Sequence, residues 1–320
     1  MSFFGKIDDA VDALASLITD SPRRTPIKIA IYLLLVWLLV WLPYSLIHHL
    51  HTSGFHVVSV QREKKVGLRV AEQLQRRMTL LPQDNPLAGY VSEIGQRIAR
   101  NNNPWKADFT FSVIDDSRMI NAFALPGGKI YITTGLLTKL DNEAELAAVL
   151  AHEVAHVSYR HYARNLGKQM LISWVKKFIG GTDAGIQEAG LFLTTNLTLL
   201  SMRQEDELEA DYQGALYIYE LGYDPAGAVT LTQKLLDIER KMPDLIKMMV
   251  LTHPPSVERV EAMKELEESL PKKGGLRLGA EEYSEMIRSQ NKTYTHHDRY
   301  RHHILEPFKH DRTQKARTDR

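Results

Sequence analysis

The run His152-Glu153-Val154-Ala155-His156 combines, within five residues, the side chains that bind a divalent cation and that move a proton beside it. In a helix, residues four apart lie one turn apart on the same side, so both imidazoles reach one ion while Glu153 projects next to them. The chain has no Cys, which excludes disulfide scaffolds, thiolate catalysis, zinc fingers and iron–sulfur clusters. His and carboxylates are then the ligands available to a transition metal. The spacing suits zinc, one ion per chain, with a position left open for a water whose pKa the ion lowers towards ~7. Glu153 is the expected general base, taking that proton and passing it to a leaving amine.

Two imidazoles leave such a site incomplete. The third ligand is expected to be a carboxylate on another packed helix, and Glu207-Leu208-Glu209-Ala210-Asp211 supplies one. Glu207 and Asp211 share a helix face, so Glu207 can ligate the ion while Asp211 accepts the second ring N–H of a metal-bound His. Read alone, the charges from Arg203 to Asp211 are a solvated helix face and each His is a satisfied polar residue. The apolar stripe of Leu146, Val149, Leu150, Val154 and Val157 argues instead for a packed, rigid helix.

The elements that must hold these groups follow from periodicity. Gln61 to Met78 and Leu87 to Ala99 read as helices, the second opened by Asn85 as cap and Pro86 at the first helical position. Phe109, Phe111 and Val113 alternate with polar residues as a strand, and Met119 to Leu125 and Lys129 to Thr134 flank the turn Pro126-Gly127-Gly128. The expected sheet is small and antiparallel. From Asn142 onward the pattern is helical, with Asn142 and Glu145 as a capping-box pair. The fold class is therefore α+β and mostly helical.

At the N-terminus, Ile29 to Ile47 runs 19 residues without a formal charge, close to the ~20 that cross a ~30 Å hydrocarbon core. A single transmembrane anchor within 27–50 is expected, with Trp37, Trp41 and Tyr44 at its interfaces. Arg23, Arg24 and Lys28 precede it, which puts the N-terminus in the cytoplasm and the rest of the chain outside. Residues 1–26 are expected to form an amphipathic segment with an acidic polar face. Leu191 to Leu200 is too short to span and reads as a buried helix. From Pro271 a basic, His-rich tail to residue 320 is expected to be exposed and partly disordered. Forty Lys and Arg against 39 Asp and Glu give +1, so there is no global basic field to hold nucleic acid.

HEVAH followed by E-x-x-A-D, together with Asn121 to Gly128 (NAFALPGG), Gly135 to Leu137 (GLL) and His253 to Val260 (HPPSVERV), resembles the membrane-associated zinc metallopeptidases of the HtpX, BepA and CAAX-prenyl-protease type. The likeness covers residues 61–270. It implies a zincin-like domain in which His152, His156 and Glu207 bind zinc, Glu153 is the base and Asp211 orients a ligand. It also implies that Asn121, Ala122, Phe123 and Ala124 form an edge strand that pairs with an extended substrate, which an unpaired strand edge does irrespective of side chains. Members of this group often carry Arg three residues before the ligating Glu, where this chain has Gln204, with Arg203 one position further back. His253 has two readings: a fourth ligand that holds the peptidase inactive, with Met242, Met248 and Met249 on a movable plug, or a residue packed in a Pro-rich turn.

These readings lead to a membrane-anchored endopeptidase of the bacterial inner membrane, acting outside the cytoplasm on unfolded or misfolded membrane and envelope proteins and touching lipid through its N-terminal helix. The alternative is a membrane-tethered chaperone or scaffold whose zinc is structural or blocked.

Overall fold

The computed structural model describes residues 58–165, 202–241 and 253–290, together with positions 34, 37 and 41. Residues 63–162 and 192–320 make up one compact unit and residues 1–62 and 163–191 another. The first of these holds the sheet and the helices that position the chemistry.

Helix α1 (Val60–Gln75) is followed by α2 (Pro86–Asn101). Asn85 caps α2 as its sequence requires: its Oδ1 accepts from Leu87 N at 2.9 Å and from Ala88 N at 3.3 Å, with Pro86 at the first helical position. Such a cap contributes ~1 kcal/mol by satisfying donors that the helix leaves open. Three strands follow, β1 (Thr110–Ile114), β2 (Ala122–Leu125) and β3 (Lys129–Thr133). Then come the short α3 (Thr134–Leu137), α4 (Glu143–Ser158), α5 (Gln204–Glu220), α6 (Ala226–Lys241), α7 (Val257–Ser269) and a last helix, α8, at 280–290.

The sheet is mixed, which corrects the antiparallel expectation. The spatial order is β1-β3-β2, with β2 antiparallel and β1 parallel to β3. Alternation of apolar residues fixes that a strand exists and which face is buried, but carries nothing about the direction of its neighbour. The turn between β2 and β3 makes the choice. Gly127 and Gly128 have φ of 90° and 106°, and a Cβ on Gly128 would meet the backbone of Asp108 and Phe109 at 3.2 Å. The turn can therefore lie on the start of β1, where Gly127 O and Gly128 O accept from Asp108 N and Thr110 N, each at 3.0 Å. That contact seats β3 beside β1 in the parallel sense and leaves β2 at the edge.

β1 packs against α2, β2 and β3 against α4, and α4 against α5 and α6. The α4–α5 approach is close at Gly214, where a Cβ would stand 3.0 Å from His152 N. Larger side chains there would push α5 off α4 at the height of the HExxH motif.

Past Leu270, where sequence reading placed the start of an exposed tail, most side chains up to residue 290 are exposed, while the backbone is tied to the domain. Ala144 N donates to Leu278 O at 3.0 Å, Asp224 N to Arg277 O at 3.0 Å, and Arg277 N to Gly222 O at 3.1 Å. Tyr283 on α8 is buried and its hydroxyl donates to Leu137 O at 2.5 Å. The signal missed was the pairing capacity of this segment's backbone, which has no periodicity to betray it.

Among the described residues no helix is long and apolar enough to cross a membrane. The expected span at 27–50 lies outside them except for Leu34, Trp37 and Trp41, which are helical and exposed. The N-terminal amphipathic segment, Leu191 to Leu200, the Met242, Met248 and Met249 segment and the tail from residue 291 also lie outside them.

Candidate metal centre

α4 is anchored through its first turn before it holds anything else. Asn142 Oδ1 accepts from Glu145 N at 2.9 Å, while Glu145 Oε2 accepts from Asp141 N at 2.8 Å and takes Lys234 Nζ at 2.5 Å. Glu143 in the first turn receives Tyr90 at 2.6 Å, Tyr223 at 2.5 Å and Arg277 at 2.9 Å. Every residue of α4 is buried, where sequence reading gave it a single apolar stripe. Its many Ala residues let neighbouring elements close on all sides, so polar residues on it have to be paired internally.

His152 and His156 turn their Nε2 atoms toward each other, 2.9 Å apart. Glu207, from the first turn of α5, brings Oε1 to 3.5 Å from His156 Nε2 and Oε2 to 3.5 Å from His152 Nε2. His253, just before α7, places Nδ1 at 2.9 Å from Glu207 Oε1 and 3.3 Å from His152 Nε2. The four residues are buried and each offers a ligand atom within 4.8 Å of the others. Imidazole nitrogens and a carboxylate that converge in this way repel unless a proton or a cation lies between them. The donor set, three nitrogens and one carboxylate with no sulfur, fits zinc. Glu153 projects beside the group, with Oε1 at 3.5 Å from His253 Nε2 and a buried Oε2 that has no hydrogen-bond partner among the described residues.

A further shell supports these groups. His152 Nδ1 lies 2.8 Å from Asp211 Oδ1, and Arg259 of α7 reaches Asp211 through Nε at 2.6 Å and Nη2 at 2.9 Å. The same guanidinium sends Nη1 to 2.9 Å from Glu207 Oε2 and donates to Pro254 O at 3.0 Å. Burial alone would lower the pKa of His152, but its hydrogen bonds to Asp211 and Glu207 outweigh this and push it up to about 10. His156 goes the other way, held well below its ordinary value by burial and by the His152 charge. Burial works to raise Glu207 and Asp211; for Glu207 the His253 and Arg259 charges win and hold it well below the usual carboxylate range. For Asp211, the Arg259 charge and the His152 hydrogen bond also outweigh burial and lower its pKa. Tyr162, buried with its hydroxyl near the backbone of Ala124, has its phenol pKa driven well up by burial and by the Glu153 and Glu207 charges.

The family model for peptidase family M48 matches residues 86–267. The chain belongs to that family. It is 32% identical to the beta-barrel assembly-enhancing protease of Escherichia coli over 216 residues, which are 63% of this chain and 43% of that protein. It is 31% identical to the mitochondrial metalloendopeptidase OMA1 of Schizosaccharomyces pombe, over 68% of this chain and 64% of that one, and 34% identical to OMA1 of Arabidopsis thaliana over 48% and 31%. The chain thus spans about two-fifths of the length of the bacterial relative.

In this member of peptidase family M48 the remaining sequence-assigned residues fall as follows. Ala122, Phe123 and Ala124 lie in β2 and Asn121 immediately precedes it, all four buried. Thr133 N donates to Asn121 O at 3.0 Å. Antiparallel pairing alternates, so Ala122 and Ala124 direct their backbone groups away from β3, toward the outer edge. Arg203 pairs with Asp206 at 2.9 Å and takes no part in the metal centre, and Gln204 bonds the exposed Glu258. Arg259 was missed as a site residue. It stands in the HPPSVERV segment 52 positions after Glu207, so spacing alone gives no reason to bring it there. Also missed were His161 and Glu209, which stand behind His156.

Proposed function

We propose that this chain is a membrane-anchored zinc-dependent endopeptidase that hydrolyses peptide bonds in unfolded or damaged membrane and envelope proteins. The observation that carries the reading is the convergence of His152, His156 and Glu207 on one point, with the unpartnered Glu153 carboxylate oxygen beside it. Family membership supports a metallopeptidase hydrolase, and the named bacterial relative is a protease. The anchor rests on the uncharged stretch Ile29 to Ile47, and the location outside the cytoplasm on the Arg and Lys residues that precede it.

His152, His156 and Glu207 would hold the ion, and Asp211 would fix the His152 ring by accepting its Nδ1–H. A bound zinc would supply an acidic water and polarise the scissile carbonyl. Glu153 takes a proton on the carboxylate that faces the cluster and returns it to the amine nitrogen as the peptide bond breaks. The outward backbone groups of Ala122 and Ala124 align the substrate as an added strand, with Asn121 and Phe123 completing the segment. A strand so bound is recognised through its main chain, which suits unfolded chains of varied sequence.

His253 favours a latent state. With its Nδ1 among the ligand atoms, four protein groups can close the coordination sphere, as in structural zinc sites. The loop that carries it must move before a substrate enters. If it never moves, the chain is instead a tethered chaperone or scaffold with a blocked metal.

The test is cleavage of a disordered substrate such as casein by the detergent-solubilised chain, with and without a chelator. Chelator-sensitive cleavage that is lost by about 100-fold or more in Glu153→Gln, with zinc retained, is the expected result. Equal activity in that variant, or activity indifferent to chelator, overturns the reading.

A further inference from the structure

His156 and His152 differ in what stands behind them. His152 meets a carboxylate directly, at Asp211, whereas His156 meets a second imidazole. His161 Nδ1 lies 2.6 Å from His156 Nδ1, and on its far side His161 Nε2 lies 3.0 Å from Glu209 Oε2. His161 is fully buried, and the Glu209 side chain is 36% exposed, so the series runs from the metal centre toward solvent.

The backbone goes to some length to make this contact. Were α4 to continue, His161 would stand roughly 140° round the helix from His156. The helix ends instead at Ser158, with Tyr159 N donating to Ala155 O at 2.9 Å and Arg160 N to Val157 O at 3.1 Å. Arg160 then takes φ of 54°, a left-handed conformation for which glycine is the usual choice. Arg160 is retained there with its guanidinium locked on Glu63, Nε and Nη2 each 2.7 Å from Oε2, and lying 5.2 Å from the Trp105 ring centroid. The reversal at Arg160 folds His161 back onto His156.

Hydrogen-bond direction along the series is determined by its two ends. His156 Nε2 faces the cluster, 2.9 Å from His152 Nε2 and 3.5 Å from Glu207 Oε1, and must present a lone pair to ligate. The neutral ring then carries its proton on Nδ1 and donates it to His161 Nδ1. His161 in turn carries its proton on Nε2 and donates it to Glu209, a carboxylate that can only accept. Asp206, which stands nearby, is gripped by Arg203 through 2.9 and 3.1 Å contacts, while Glu209 Oε2 lies 3.0 Å from His161 Nε2.

We propose that His161 and Glu209 form a two-step positioning relay that fixes the tautomer and orientation of His156 for zinc, doing through an intervening imidazole what Asp211 does directly for His152. This rests on the metal-site reading above. His161 and Glu209 touch neither ion nor substrate and act through His156.

The experiment measures Zn2+ affinity of the full chain by competition with a chromophoric chelator, alongside the visible spectrum of the Co2+-substituted protein. The variants are His161→Phe, Glu209→Gln and, as a control on the same helix, Glu205→Gln. Expected are zinc binding weakened about 10–100-fold in His161→Phe and by a smaller factor, roughly threefold or more, in Glu209→Gln. The Co2+ bands should shift in both, while Glu205→Gln matches the parent. If His161→Phe does not fold, as judged by thermal unfolding of the zinc-free chain, Glu209→Gln decides alone. Parent-like affinity and spectrum in the folded relay variants overturn the relay and leave the metal-site reading intact. A parent that binds no zinc overturns both.

Discussion

Arg259 and Asp211 form a two-point pair, Nε to Oδ2 at 2.6 Å and Nη2 to Oδ1 at 2.9 Å, and Oδ1 of the same carboxylate stands 2.8 Å from His152 Nδ1. One guanidinium thus balances both carboxylates of α5 that serve the proposed metal centre, since its Nη1 also reaches Glu207. Arg259→Met should leave two buried carboxylates short of positive charge and cost about 3–5 kcal/mol in the zinc-free chain. Arg259→Lys should recover only part of this, because an ammonium cannot reproduce the planar fork. Urea unfolding of the three proteins checks it, and equal midpoints would show that the pair has no structural weight.

If the cluster takes up zinc as proposed, the ion should displace a proton. In the metal-free chain His152 is imidazolium at neutral pH, its pKa pushed up to about 10, while His156 is neutral and Glu207 ionised. Loading at neutral pH should release at least one proton, and affinity should fall as pH is lowered. The sign for stability without metal follows from the same shift. A raised folded pKa contributes fully below about 6.5 and is lost as pH rises through about 10. Calorimetric zinc titrations in buffers of different ionisation enthalpy measure the proton count, and none released would contradict the charge assignment.

Ending the chain at Leu270 should destabilise the domain that carries the cluster, although the family match ends at residue 267. The cut removes Arg277 from Glu143 and takes Tyr283 out of its buried seat. Burying one large aromatic side chain is worth ~2–3 kcal/mol, and the lost backbone bonds add to this. Thermal unfolding of 58–270 against 58–290 reads it. Equal melting temperatures would mean that the segment merely rests on the domain.

What was legible in the sequence was whatever repeats with a local period or sits at a fixed local spacing. His152 and His156 share a helix, and Asn85 and Asn142 announce their own caps, because a few neighbouring side chains decide these things. The sheet was legible as three strands but not as a mixed sheet, because direction was settled by the docking of Gly127 and Gly128 on β1. Arg259 escaped because a buried cation is specified by carboxylates from another helix. His161 escaped because a helical reading turns it away from His156, and only the left-handed Arg160 brings it back. Segment 271–290 escaped because it packs through backbone bonds and a single deeply buried Tyr283.

The central claim is a zinc ion held by two imidazoles of α4 and a carboxylate of α5, and zinc content per chain in the parent and in Glu207→Ala tests it most directly. The account predicts one tightly held zinc in the parent and a strongly reduced content in the variant after dialysis against a weak chelator. A parent without zinc, or a variant that keeps it as firmly as the parent, would contradict the account.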